Sequence, residues 1–155
     1  MSKIAIVQIR GIIGTSQKVR KTLRHLGLVK KNSCVVIETS SSLKGMLVVV
    51  ADYVTWGEIN EAAFYELMLK RGKVAGNKPL TDEYVKKNIN TDIKGFSKDV
   101  YEGKNKIKDL AGIKPYFRLT PPVGGFGKGI KKAYSLGGAL GYRKDNINDL
   151  IKRML

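Results

Sequence analysis

Residues 4–10 read Ile-Ala-Ile-Val-Gln-Ile-Arg and stop at Gly11. A β-branched, apolar run this short, ended by glycine, is a mostly buried strand. Working outward, Gly11 and Gly14 flank Ile12-Ile13 in a turn, and Thr15 or Ser16 offers a helix N-cap. Val19, Leu23 and Leu26 follow at i, i+4, i+7, which is one helical face, and Gly27 stands where such a helix ends. A second strand runs from Cys34 to Glu38 around Val35, Val36 and Ile37. Ser40-Ser41-Ser42 supplies caps for a second helix beginning near Leu43, with Leu43, Met46, Leu47 and Val50 on one face. Val48-Val49-Val50 fits a strand equally well. Tyr53 to Trp56 is a third strand, stopped by Gly57. Residues 1–57 thus read β-α-β-α-β, an α+β core with two helices on one face of a small sheet.

Beyond Gly57 the texture changes, and residues 58–155 read as an extension, mainly helical and then Gly-rich and basic. Glu58 to Arg71 is a helix with Ile59, Ala63, Leu67 and Met68 on its apolar side, and Gly72 ends it. A loop with Lys73, Gly76, Lys78 and Pro79 follows. Thr81 then caps a short helix, with Asp82 and Glu83 against its positive end. Another short helix spans Phe96 to Tyr101. Lys114 to Gly141 is rich in Gly and Pro and is basic. Ile147, Leu150, Ile151 and Met154 form the apolar stripe of a last helix from Asp145 to Leu155.

Charge narrows the function. The 155 residues carry 29 Lys and Arg against 13 Asp and Glu, a formal net charge of +16. In one small domain that excess repels itself unless a polyanion neutralises it, and nucleic acid is the commonest such partner. A membrane role is not expected. No stretch approaches the ~20 apolar residues of a span, and the basic helices lack an aromatic-rich face for lipid. The apolar run Ile4–Ile9 is too short for a signal peptide. A cytoplasmic protein is therefore expected. The one cysteine, Cys34, permits neither an internal disulfide nor a cysteine metal cluster.

No catalytic constellation emerges, so no enzyme, cofactor, metal or small-molecule substrate is expected. The one histidine, His25, lies among Lys and Arg on a helix, where a phosphate contact is the better reading than a general base. No paired carboxylates stand out for acid–base chemistry. Gly124-Gly125-Phe126-Gly127-Lys128-Gly129 invites a phosphate-loop reading and fails it. Pro122 occupies the first glycine position of the Walker spacing, and Gly129 replaces the Ser or Thr after the lysine. A glycine-rich basic segment instead lets backbone lie close against folded RNA, with Lys128, Lys131 and Lys132 pairing with phosphates. Little apolar surface is available there to fix a shape, so Gly124 to Lys132 is expected to be mobile until bound.

The first helix is the second candidate surface. With its apolar stripe on the sheet, Lys18, Lys21 and His25 face outward, with Arg20 and Arg24 beside them. Guanidinium forks match phosphate geometry. Arg10, Lys70, Arg71, Lys78 and Arg118 complete the basic candidates. Tyr142 and Arg143 form an aromatic–cation pair suited to base stacking. Tyr116 and Phe117 beside Arg118 offer the same, although Phe117 suits a core equally well.

These residues resemble a known family. Val7-Gln8-Ile9-Arg10-Gly11, Lys18-Val19-Arg20-Lys21-Thr22-Leu23, Leu26-Gly27-Leu28, Gly45-Met46-Leu47 and Tyr53-Val54-Thr55-Trp56-Gly57 look like the opening of the L-thirty family of large-subunit ribosomal proteins. The resemblance continues through Leu69-Lys70-Arg71-Gly72, Leu80-Thr81-Asp82, Phe117-Arg118-Leu119, Pro121-Pro122, Gly141-Tyr142-Arg143 and Ile147 to Met154, and is weakest over 74–112. The extension resembles archaeal members and the eukaryotic L-seven proteins. The long basic arm of the eukaryotic ones is missing, which makes the chain look archaeal. The resemblance implies a ferredoxin-like core with an antiparallel three-stranded sheet. It also implies a structural role on large-subunit rRNA, possible proximity to the 5S rRNA, neighbouring ribosomal proteins as further partners, and no catalytic residue. The competing readings are a free-standing RNA-binding factor in rRNA or tRNA maturation, a basic chromatin protein, and a nucleotide-hydrolysing enzyme.

Overall fold

All six residues of β1 (Lys3–Gln8) are buried. In the computed structural model, which describes residues 3–155, this strand is the centre of the molecule. Side chains alternate across a strand. Ile4 and Ile6 enter one core, with Leu23, Leu26, Val35, Leu43, Leu47, Val50 and Val54. Ala5 and Val7 enter another, with Phe64, Leu67, Phe96, Phe117, Ile147 and Ile151. A near-continuous apolar run such as Ile4–Ile9 marks a strand covered on both sides.

The first core lies under α1 (Gln17–His25) and α2 (Ser41–Val50), which touch each other. The second lies under α3 (Glu61–Arg71), α4 (Asp82–Ile89), α5 (Ile93–Glu102) and α6 (Ile147–Met154). The two helices expected on one face of the core are α1 and α2. The extension closes the second face, giving three layers instead of two.

The sheet is mixed and has five strands in the order β4-β2-β1-β3-β5. β2 (Ser33–Glu38) and β3 (Val54–Glu58) flank β1, both antiparallel to it, with Ile6 opposite Val35 on one side and Trp56 on the other. β4 (Phe117–Arg118) joins β2 antiparallel at Ser33 and Cys34, and β5 (Gly141–Tyr142) joins β3 in parallel. A three-stranded sheet was therefore too small. Two-residue strands leave no periodic signal, so only tertiary pairing reveals them.

Several boundaries moved for local reasons. Val48-Val49-Val50 is helical, within a helix capped at Ser40, whose Oγ accepts from Leu43 N at 3.1 Å. α3 starts at Glu61, since the Asn60 side chain caps it by accepting from Ala63 N at 2.8 Å. Ile59 is buried ahead of that helix, not on its face. Gly57 does not stop β3, which continues to Glu58. A Cβ there would sit 2.1 Å from the Lys144 carbonyl oxygen, so the glycine marks a close approach of the extension to the core.

The Gly-rich segment is tied at its ends. Val123 N donates to Arg153 O at 2.9 Å, Lys128 N to Gly137 O at 3.0 Å, and Ala139 N to Lys132 O at 3.0 Å. Its two limbs press together so closely that a Cβ on Gly138 would meet Lys132 O at 2.2 Å.

Candidate nucleic-acid interface

Charge is not spread evenly along the chain. Residues 1–37 hold eight Lys or Arg and no Asp or Glu, and residues 110–144 hold seven and none. The rest of the chain is nearly balanced, with fourteen basic and thirteen acidic residues. The fold brings the two acid-free stretches together at one end of the sheet. Where β1 ends, Asn32 N donates to Gln8 O at 2.8 Å, and Leu119 N donates to Asn32 O at 2.9 Å. Arg118 stands opposite Ser33 across the β2–β4 pair. A cavity of about 230 Å³ is lined from both stretches, by Arg10 and Lys31 on one side and Ile130 on the other.

α1 leaves this end of the sheet. Ser16 caps it, Leu23 is fully buried, and Val19 packs partly on the core. Lys18, Lys21, Arg24 and His25 are exposed, as the stripe requires. Arg20 is half-buried, and its Nε is buried without a partner in the protein. No acidic side chain lies on this helix to neutralise the row, so an external anion is the natural counter-charge. Arg10 is positioned differently. Its guanidinium lies 5.0 Å from the centre of the Tyr53 ring, and Nη1 donates to Asp52 O at 3.2 Å.

The geometry offers little to catalysis. His25 lines an apolar cavity of about 420 Å³ with Lys3, Glu38, Lys106 and Lys108. The one acid there, Glu38, is already paired with Lys3 at 2.9 Å, and that hydrogen bond holds its carboxyl below the usual range. Cys34 is buried, and burial pushes its thiol up to about 12, far from a reactive thiolate. Among the described residues no three His, Cys, Asp or Glu side chains are grouped to hold a metal ion, and no helix is long and apolar enough to cross a membrane.

Comparison with known proteins decides the family. Residues 4–54 match the family described as Ribosomal protein L30p/L7e. Over almost its full length the chain is similar to archaeal proteins named large ribosomal subunit protein uL30. It is 44% identical to that of Methanopyrus kandleri, over 94% of this chain and 99% of the relative. For Staphylothermus marinus the identity is 47% over 97% of each, and for Nanoarchaeum equitans 43% over 100% of each. The chain belongs to the ribosomal protein L30p/L7e family. Members of this family are structural proteins, not enzymes, and the wide coverage extends the kinship through the Gly-rich segment to α6.

The L30p/L7e fold separates the remaining candidates. Arg118, Lys128, Lys131 and Lys132 are exposed within the second acid-free stretch. Lys70 and Lys78 are exposed, outside both stretches. Arg71 is half-buried, and its Nη2 donates to Leu155 O at 2.6 Å and more weakly to Thr120 Oγ1 at 3.4 Å, so it fastens the C-terminus. Tyr142 is exposed, but its hydroxyl donates to Glu58, which pushes that hydroxyl's pKa up to about 12.

Arg143 leaves the set of surface candidates. It is 5% exposed, with its guanidinium 4.4 Å from the Tyr134 ring centre and its donors directed to Thr55, Gly138 and Ala139. Its burial holds its pKa below the usual arginine value. Phe117 is core, at 0% exposure. Lys30 and Lys31 join the candidates. Both are exposed at the sheet end, and the run of 37 residues without an acid was the signal that marked them.

Proposed function

We propose that the chain is a structural constituent of the large ribosomal subunit that binds and stabilises folded large-subunit rRNA, in the cytoplasm. The observation that carries this reading is the convergence of the two acid-free stretches at one sheet end, in a protein related over its full length to proteins named for the large subunit. The contacts are assigned to Lys18, Arg20, Lys21, Arg24 and His25 on α1, to Lys30 and Lys31, and to Arg118, Lys128, Lys131 and Lys132. Arg10, Lys70, Lys78 and Tyr142 are placed at the margin. Phosphate contacts from such residues fix position and orientation, and they bring rRNA segments together without reading bases.

In this proposal residues 1–57 are the ferredoxin-like RNA-binding core of the family. Residues 58–155 are an extension that packs on the core and reaches further rRNA, in the neighbourhood of the 5S rRNA and of other ribosomal proteins. Sedimentation of a lysate tests it. The protein is expected with large subunits after a high-salt wash. Recovery only in light fractions would favour a free-standing RNA-maturation factor. Crosslinking of intact subunits, with mapping of the joined nucleotides, then tests the residue assignments and the 5S neighbourhood.

A further inference from the structure

We propose that the turn Gly11–Gly14 presents Ile13 as an apolar wedge for an unstacked RNA base, so that the interface selects a bulge or loop over continuous duplex. This rests on the rRNA-binding reading above and adds what kind of RNA is taken.

The first observation is where apolar side chains are left in water. Among the described residues eight large ones are markedly exposed, and six of them, Ile13, Val29, Val123, Ile130, Leu136 and Tyr142, fall in the two acid-free stretches. Ile13 is 97% exposed. Phosphates account for the lysines and arginines but gain nothing from an isoleucine. An A-form duplex keeps its bases stacked and offers side chains mainly sugar and phosphate. Bulges and loops can splay a base out, and its flat face is apolar enough to pack on an aliphatic side chain.

The second observation is that the backbone of the turn carrying Ile13 is held in place. Its neighbour Ile12 packs on the first core, and the Ile12 carbonyl accepts from both the backbone N (3.4 Å) and the Oγ1 (2.8 Å) of Thr15. Arg10, at the other foot of the turn, is fixed over Tyr53. A turn whose backbone is already ordered loses less entropy on binding.

The third observation is a place for the base. The cavity of about 230 Å³ beside the turn is lined by Ile9, Arg10, Gly11, Ile13, Lys31 and Ile130. Its sides are aliphatic, and Lys31 supplies a cation for the phosphate of an extruded nucleotide.

The experiment uses the full-length protein and large-subunit rRNA transcribed from Methanopyrus kandleri. With p-benzoylphenylalanine placed at position 13, irradiation is expected to join the protein to a nucleotide whose 2′-hydroxyl is reactive to acylation in the free rRNA, which marks it as unpaired. Ile13→Ala is expected to weaken binding about tenfold, at the scale of one buried aliphatic side chain, with no change in salt slope because no phosphate contact is lost. Lys31→Gln should instead flatten the slope. The side chain at 13 is almost wholly in solvent, so these variants are expected to keep the wild-type thermal transition.

Crosslinking into a paired helix overturns the wedge and leaves rRNA binding standing. So does unchanged affinity of Ile13→Ala for rRNA, including the case where this variant enters subunits poorly, which would assign Ile13 to a neighbouring protein. Failure of the wild type to bind rRNA at all would remove the underlying reading as well.

Discussion

Arg143 and Thr55 lie 88 positions apart and share a buried hydrogen bond, the Nε donating to Thr55 Oγ1 at 2.9 Å. The same hydroxyl donates to Gly141 O at 2.8 Å, so one oxygen joins the middle of β3 to the strand that follows the Gly-rich segment. Arg143 also reaches Ala139 O at 3.0 Å. A basic residue in a basic segment here fastens the segment to the core from inside. Thr55→Val leaves the buried guanidinium short of an acceptor and is expected to destabilise the protein by about 2 kcal/mol. Arg143→Met, which removes the charge and keeps much of the bulk, is expected to lower stability by about 1–3 kcal/mol. Urea unfolding measures both. RNA affinity per folded molecule should be unchanged in Arg143→Met. Normal stability with weakened RNA binding would return Arg143 to the interface.

Gly57 makes the second junction between the same two regions. A Cβ there would meet Lys144 O at 2.1 Å and Ile147 side-chain atoms at 3.0 Å. The obstacle at the shorter distance is backbone, which cannot rotate away. Gly57→Ala is expected to destabilise by about 3 kcal/mol, at the upper end for overpacking a tight contact. Hydrogen exchange should show the loss first in α6, whose start lies against Gly57. Unaltered stability would mean that the Lys144 turn shifts freely.

The contrast between Arg143 and Lys31 shows how far the sequence could be read. Periodicity found the elements that carry their own signal: β1 by its apolar run, α1 by Val19, Leu23 and Leu26, α6 by its stripe. It missed β4 and β5, two residues each, because such strands exist only through their partners. It placed the basic row of α1 outward, since the apolar stripe leaves no other direction for it. The burial of Arg143 is not legible in the sequence, because it depends on acceptors brought from Thr55, Gly138 and Ala139 by the fold. The acid-free run marks Lys31 only as one basic residue among eight, and its place beside the Arg10 turn and Ile130 is set by the fold.

α1 supplies the sharpest electrostatic test. Arg20, Lys21 and Arg24 lie off the buried positions Leu23 and Leu26, so replacing all three with Gln should leave the fold intact by circular dichroism and thermal melting. If the full interface neutralises roughly ten phosphates, the log–log dependence of affinity on salt has a slope of about −7 to −9. The triple variant should flatten it by about 2–3, and the loss should be similar for unrelated RNA sequences, because phosphate contacts carry no base information. A slope equal to the wild type's would remove α1 from the interface.

The Gly-rich segment and α6 should respond differently to RNA. α6 buries Ile147, Leu150, Ile151 and Met154 in the second core, which needs no RNA to form. Its amides should therefore be protected in the isolated protein and in intact subunits alike. The segment from Gly124 to Lys132 contributes few side chains to either core, Phe126 being only partly buried against the second. Backbone hydrogen bonds at Val123, Lys128 and Ala139 hold its ends. The span between, with Gly129, Ile130 and Lys131, depends on contacts from outside to offset the backbone entropy lost on ordering, about 1–2 kcal/mol per residue. Hydrogen exchange on the isolated protein should show fast exchange across 129–131 and slower exchange at Lys128 and Ala139. In intact subunits protection should extend across the whole span, as charge-assisted bonds from Lys128, Lys131 and Lys132 to phosphates fix it. Equal, strong protection of 129–131 in both states would show that the close packing of Gly138 against Lys132 already suffices, and that RNA meets a finished surface there.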